Sequence, residues 1–227
     1  MKQDKELKIG KLDDTVREPV DYTEELEKNA LPKRLAVTIP DAVNYNGYVA
    51  LNQETGLERN GKDTVLAAIL KNELLYPEFR FRIGAYGFMN AVGRTNSYML
   101  TYRDPDIRPS YDYYQKLPEK IRELKLTQDE VNDSILSTYS GLAYPESPLK
   151  AAQSAIYHVL QDHPESYGEE ALRMMREAKT VTPEDVTGAA DKIGKMIDSG
   201  VRITAGNSAA IKKNAGLYDL VIEDLTK

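Results

Sequence analysis

Cysteine is absent from all 227 residues. That excludes disulfides, thiol catalysis and cysteine-ligated metals together. Histidine is nearly absent: only His158 and His163 occur, five residues apart in HVLQDH. A zinc-binding helix motif sets two histidines four residues apart with a glutamate between them, so that both rings and the general base share one face. A five-residue step rotates the second ring off that face, and the pair reads as partly exposed histidines at a helix end, with no metal site. The Gly-x-Ser-x-Gly elbow, the Walker loop and the dinucleotide-binding glycine pattern are missing as well. Any site must therefore be built from carboxylates, tyrosines and arginines. No apolar run approaches the roughly 20 residues that cross a bilayer, so no membrane span is expected. The opening MKQDKELKIGKLDD is charged throughout and has no signal-peptide core, which sets the expectation of a cytoplasmic chain. An excess of basic residues is also lacking: 36 acids against 30 bases leave a net charge of -6. That balance argues against a nucleic-acid partner.

What is present is an ordinary globular composition, 41% hydrophobic and 29% charged, in a chain long enough to bury a core. Residues 1–33 are polar and acidic, a lead-in with a short helix near Tyr22 to Asn29, and residues 34–227 form the domain. LAVTIP (Leu35 to Pro40) and the stretch from Tyr45 to Leu51 have strand composition. Asn60-Gly61 marks a turn. Val65, Leu66, Ile69, Leu70 and Leu74 then repeat at helical spacing, predicting a helix over Lys62 to Tyr76 that Pro77 terminates. Phe79 to Asn90 and Ser97 to Arg103 read as consecutive strands joined by the polar turn Gly93 to Asn96.

The second half carries explicit helix starts. Thr127-Gln128-Asp129-Glu130 has capping-box spacing. Ser147-Pro148 and Thr182-Pro183-Glu184-Asp185 place a cap before a proline at the first helical position. Helices are predicted near 110–123, 127–142, 148–162, 168–179 and 183–198. A returning strand at Arg202 to Ala205, a short helix at Ser208 to Lys213 and an extended piece from Leu217 to Ile222 follow. The order predicts an α+β fold, a mainly antiparallel sheet covered on one face by helices.

The stretch FRFRIGAYGFMN, Phe79 to Asn90, carries the candidate site. Read as a strand, its period-two alternation sends Phe79, Phe81 and Ile83 to one face and Arg80, Arg82 and Tyr86 to the other. Gly84 lets another backbone or a ligand approach closely. A guanidinium and a phenol on one face both donate hydrogen bonds to a carbonyl oxygen. The plainer alternative is a sheet arginine paired with a surface acid and a tyrosine half in the core. AYGFM also partly matches the aromatic strand of an RNA-recognition motif. Gly84-Ala85 replaces that motif's basic residue and glycine, however, and Ala91 replaces its last aromatic.

VNYNGYVA, FRFRIGAYGFMN and SYMLTYRDPD occur in this order around a predicted helix, followed by LTQDEVNDSILSTYSGLAYPESP and GVRITAGNSAAI. From about Pro40 to about Leu220 the chain resembles the last domain of presequence-protease-like zinc metallopeptidases, of the pitrilysin/insulysin superfamily and the inverted H-x-x-E-H class. The resemblance implies a metallopeptidase LuxS/MPP-like domain, one of four related domains arranged as two halves around a chamber. It places the zinc and its ligands in the N-terminal catalytic half, so that this chain holds no cofactor of its own. It further implies that the last domain supplies an arginine and a tyrosine, six residues apart, that hold the backbone of an unstructured peptide at the scissile bond. Those positions match Arg80 and Tyr86, with Gly84 and Ala85 as the small residues before the tyrosine. The expected role is substrate clamping and chamber closure, with residues 1–33 a lead-in or linker from a preceding domain. H-x-x-E-H is absent, so no intrinsic peptidase activity is expected, and Gly87-Phe88-Met89 stands where a second glycine follows the tyrosine in the family. Arg82 falls outside the match and reads as a surface or groove charge. Tyr102-Arg103-Asp104-Pro105 reads as a structural strand end with Arg103 paired to Asp104. The alternative is a stand-alone, non-catalytic interaction or scaffold protein of the same fold.

Overall fold

The computed structural model describes residues 24, 28, 30–143, 147–160 and 165–223, without the side chains of 158 and 167. The chain divides into two compact units, Met1–Leu31 and Pro32–Lys227. The helix predicted near Tyr22 to Asn29 lies outside the described residues except for Glu24 and Lys28, both helical. His163 and the His158 side chain also lie outside them.

The larger unit runs β1 (Arg34–Thr38), β2 (Asn44–Leu51), α1 (Asn52–Thr55), α2 (Gly61–Ile69), β3 (Gly87–Val92), β4 (Asn96–Asp104), α3 (Arg108–Glu123), α4 (Gln128–Leu142), α5 (Pro148–Leu160), α6 (Tyr167–Ala178), α7 (Pro183–Gly188), α8 (Ala190–Ser199), β5 (Val201–Gly206), α9 (Ser208–Lys213) and β6 (Leu220–Ile222). The strands form one sheet in the order β3-β4-β2-β5-β1-β6. Pairings β3–β4, β4–β2 and β2–β5 are antiparallel, while β1 runs parallel to both β5 and β6. Late strand β5 thus returns to the middle of the sheet, as its predicted position after the helices requires. The helices cover one face. Tyr48 and Ala50 of β2 are buried beneath them, whereas Val49 and Leu51, pointing the other way, are exposed.

Among the described residues three helix starts are capping boxes: Thr127 with Glu130, Ser166 with Glu169, and Thr182 with Asp185. The predicted helix over 183–198 is two helices, because Ala189 both caps α7 and opens α8. Leu217 closes a short 3-10 turn, and within the predicted extended piece the strand itself is Leu220–Ile222.

The largest departure from the sequence expectation lies between α2 and β3. Pro77 does not end the helix. The chain continues from Ile69 through two wider-wound π-helical segments, Leu70–Leu75 and Pro77–Ile83, and the strand begins only at Gly87. Proline has no N–H to give, and the i to i−5 register carries the chain past it. Tyr76 keeps helical angles, φ -66° and ψ -48°, and its N–H reaches Lys71 O. Burial drives this outcome. Leu75 and Phe79 are fully buried, and the Phe79 ring lies 4.9 Å from that of Tyr114 and 5.5 Å from that of Tyr113. Tyr48, Tyr111 and Tyr114 complete this aromatic core, with Tyr48 edge-on to the other two rings at 5.7 and 5.6 Å.

The far end of α2 is tied down by charge. Asn60 caps it through the Asp63 N–H, and Asp63 in turn accepts Lys192 Nζ at 2.9 Å. Glu177 takes the Gly61 N–H at 2.8 Å. The rod that ends at Ile83 is therefore fixed at both ends, by ion pairs at its start and by aromatic packing at its finish.

Candidate functional site

Arg80 and Tyr86 do meet, though not by strand alternation. Helical winding separates Phe79 from Phe81, so that Phe79 is core while Phe81 is 75% exposed. This corrects the expectation that both pack inward on one strand face. Arg80 projects from the last helical turn. Gly84 then adopts φ +91°, a left-handed conformation that reverses the chain. Its N–H and that of Ala85 both return to Phe79 O, at 3.0 and 2.8 Å. Ala85 is fully buried beneath the reversal, and Tyr86 is brought back alongside Arg80. Arg80 Nη1 donates to Tyr86 O at 2.6 Å, and the guanidinium carbon sits 5.1 Å from the Tyr86 ring centroid. Glycine and alanine thus build the turn, while the arginine and tyrosine form its exposed surface. Arg82 points away and pairs with Glu78, Nε to Oε1 at 2.7 Å.

The opposite wall of the site comes from the end of β4. Gly87 pairs with Tyr102, and a Cβ at Gly87 would lie 2.6 Å from the Tyr102 ring. Glycine is required there so that the ring can lie across the strand and meet Tyr86 at 5.6 Å. Arg103 does not pair with Asp104, which corrects the sequence reading. Asp104 is fully buried and accepts Asn46 Nδ2 at 3.0 Å, Thr101 Oγ1 at 2.7 Å, Ser110 Oγ at 2.5 Å and the Asp106 N–H at 3.2 Å. With its acceptor sites filled from the interior, the carboxylate leaves Arg103 to turn outward. The Arg103 guanidinium lies 5.4 Å from the Tyr86 ring centroid, and its carbonyl accepts the Tyr86 N–H at 3.3 Å. Tyr102 and Arg103 are the site residues that alternation alone could not assign. The signal for them was the YRDP stretch.

Chemically, the surface offers donors for a carbonyl or carboxylate oxygen. A guanidinium has five N–H donors, and among the described residues Arg80 spends only Nη1 on its own chain. Tyr86 is 55% exposed, which leaves its hydroxyl open to a ligand. Among the described residues no three histidine, aspartate or glutamate side chains are grouped to hold a metal ion. These described residues do not fit a zinc site.

Crystal structures of pitrilysin (TM-score 0.52, 13% identity, covering 76% of this chain and 19% of that one) and of a conserved protein from Enterococcus faecalis V583 (TM-score 0.55, 12% identity, covering 77% and 42%) share the fold. The chain belongs to the PreP C-terminal domain family, whose model matches residues 34–205. Presequence protease 1, chloroplastic/mitochondrial, of Arabidopsis thaliana is 27% identical over 179 residues, which are 78% of this chain and 16% of that protein. The chain thus spans about one-sixth of the length of that relative.

Proposed function

We propose that this domain serves a zinc peptidase of unstructured peptides as its metal-free C-terminal part, and that it clamps the substrate backbone and closes the reaction chamber. Its partner is an N-terminal catalytic half that carries the zinc and the general base. The observation that carries the reading is the Arg80–Tyr86 pair: two donors of different chemistry, six residues apart, held together on an exposed turn by Gly84 and the buried Ala85. Such donors stabilise charge as it develops on a scissile carbonyl. The open sheet face supports the reading. Val49, Leu51, Met89 and Ile203 are exposed on the side away from the helices, an apolar floor suited to an extended peptide.

The test is made in the assembled peptidase with a fluorogenic unstructured peptide. Arg80→Ala lowers kcat by about 10²-fold, the usual loss of one such donor, with zinc content unchanged. Tyr86→Phe, which removes only a hydroxyl, acts in the same direction. Wild-type turnover in both variants refutes the clamp and favours a scaffold role for the same fold.

A further inference from the structure

Arg103 is, among the described residues, the one non-glycine residue with a positive φ, +52°. Side chains seldom adopt this conformation, and it persists where surrounding structure imposes it, commonly at working sites. Here the imposing structure is visible. The next residue, Asp104, is locked on its side-chain oxygens by Asn46, Thr101, Ser110 and the Asp106 N–H, and on its carbonyl by Asn44 Nδ2 at 3.1 Å. Ser110 lies on α3, and Asn44 and Asn46 on β2. Two neighbouring elements therefore hold the backbone on one side of Arg103, and both groups of Arg103 that reach across the site meet the same residue. Its carbonyl takes the Tyr86 N–H, and its guanidinium lies against the Tyr86 ring. Arg80 lies against that ring too. Two guanidiniums beside each other repel; the electron-rich face of a tyrosine attracts each of them. The ring is thus gripped by Arg80, Arg103 and the edge of Tyr102.

We infer that Arg103 is a positioning residue for Tyr86: its guanidinium, aimed at the ring by a left-handed backbone that the buried Asp104 knot imposes, fixes the direction in which the Tyr86 hydroxyl is presented to a peptide carbonyl. The inference rests on the clamp reading and deepens it. Arg103 itself touches no substrate. Its contribution falls on kcat, because a misdirected donor binds the ground state about as well but meets the developing oxyanion less well.

Arg103→Gly separates position from strain. Glycine accepts φ +52° without cost, so the fold is kept or strengthened while the guanidinium is lost. The first readout uses this chain alone with ring-13C tyrosine: the Tyr86 resonance, assigned by its loss in Tyr86→Phe, moves or broadens in Arg103→Gly while the unfolding temperature does not fall. The second uses the assembled peptidase and a fluorogenic unstructured peptide. Arg103→Gly lowers kcat about two- to fivefold at unchanged KM, the loss of one exposed cation–π contact, and Arg103→Lys restores part of it. An unmoved Tyr86 resonance, or a lowered unfolding temperature that accounts for the lost activity, overturns the inference. So does wild-type turnover in Arg103→Gly alongside impaired Arg80→Ala, which leaves the clamp standing without Arg103. Wild-type turnover in both variants removes the clamp and this inference together.

Discussion

Gly84 decides whether Arg80 and Tyr86 share a surface, and its conformation makes the requirement measurable. At φ +91° an L side chain is strained, yet a Cβ there would meet only Pro105 Cγ, at 3.9 Å. Sterics beyond the backbone add nothing. Alanine costs about 1–2 kcal/mol in the left-handed region, offset by roughly 0.4–1 kcal/mol from restricting the unfolded chain. Gly84→Ala is therefore expected to lose up to about 1.6 kcal/mol, read from the urea midpoint at unchanged slope. A gain in stability would show that the turn relaxes out of the left-handed region. Legibility at this scale was uneven. Arg80, Gly84, Ala85 and Tyr86 were all named from the sequence, but the strand alternation that put Arg80 and Tyr86 on one face was wrong. They meet through a helix end and a reversal, which residue types alone do not distinguish from a strand. Asp104 and Arg103 were misassigned for a related reason. Adjacent opposite charges suggest a pair, while the donors that claim the carboxylate come from Asn46 on another strand and from nearby residues that only the folded turn brings round, Thr101, Asp106 and Ser110.

At the scale of elements, the helical second half was readable because its signals are local. A hydroxyl and a carboxylate three residues apart satisfy each other's backbone amides regardless of what lies elsewhere in the fold. The π-helical run to Ile83 was not readable in the same way. Phe79, Phe81 and Ile83 have strand propensity and follow a proline, and only tertiary burial of Phe79 overrules both. The spacing Leu75, Phe79, Ile83 held the contrary signal, since four-residue steps mark a helix face. The caps also carry a pH dependence. Glu130 is held below the ordinary glutamate range by the Thr127 backbone N–H and then by its hydroxyl, and Glu169 likewise by Ser166. A carboxyl with a depressed folded pKa contributes stability above its unfolded value, about 4.3, and loses it as pH falls through the folded value. Thermal unfolding followed from pH 7 downward should therefore show a steepening loss below about pH 4–5. The double variant Glu130→Gln/Glu169→Gln should start lower and fall less steeply. Parallel curves for the two proteins would show that these caps do not contribute.

Across the whole molecule, one aromatic cluster joins the sheet to the helical layer and to the site. Tyr48 comes from β2, Tyr111, Tyr113 and Tyr114 from α3, and Phe79 from the helical turn that presents Arg80. The core that holds the domain together therefore also holds the Arg80–Tyr86 turn in place, and its chemistry predicts how the domain fails at high pH. Burial pushes the Tyr113 phenol up to about 12, with the Glu78 charge adding to the shift, and burial drives Tyr111 and Tyr114 upward as well. Neutral phenol is the favoured form in the folded state. Below the unfolded value, about 10, this stabilisation is fully present. Above it the unfolded chain releases protons that the folded chain retains, so stability falls as pH climbs through the folded values. Tyr114→Phe isolates the effect, because its hydroxyl makes only a long contact, 3.5 Å to Asn46 O, while Tyr111 bonds Ile203 O at 2.7 Å. The variant should match the wild type in urea at neutral pH and lose stability less steeply above about pH 10. The tyrosinate absorbance of the wild type should rise together with the loss of helical circular dichroism. Absorbance that rises fully while the helical signal stays intact would mean that the buried phenols ionise within the fold, and that the cluster does not set the alkaline limit.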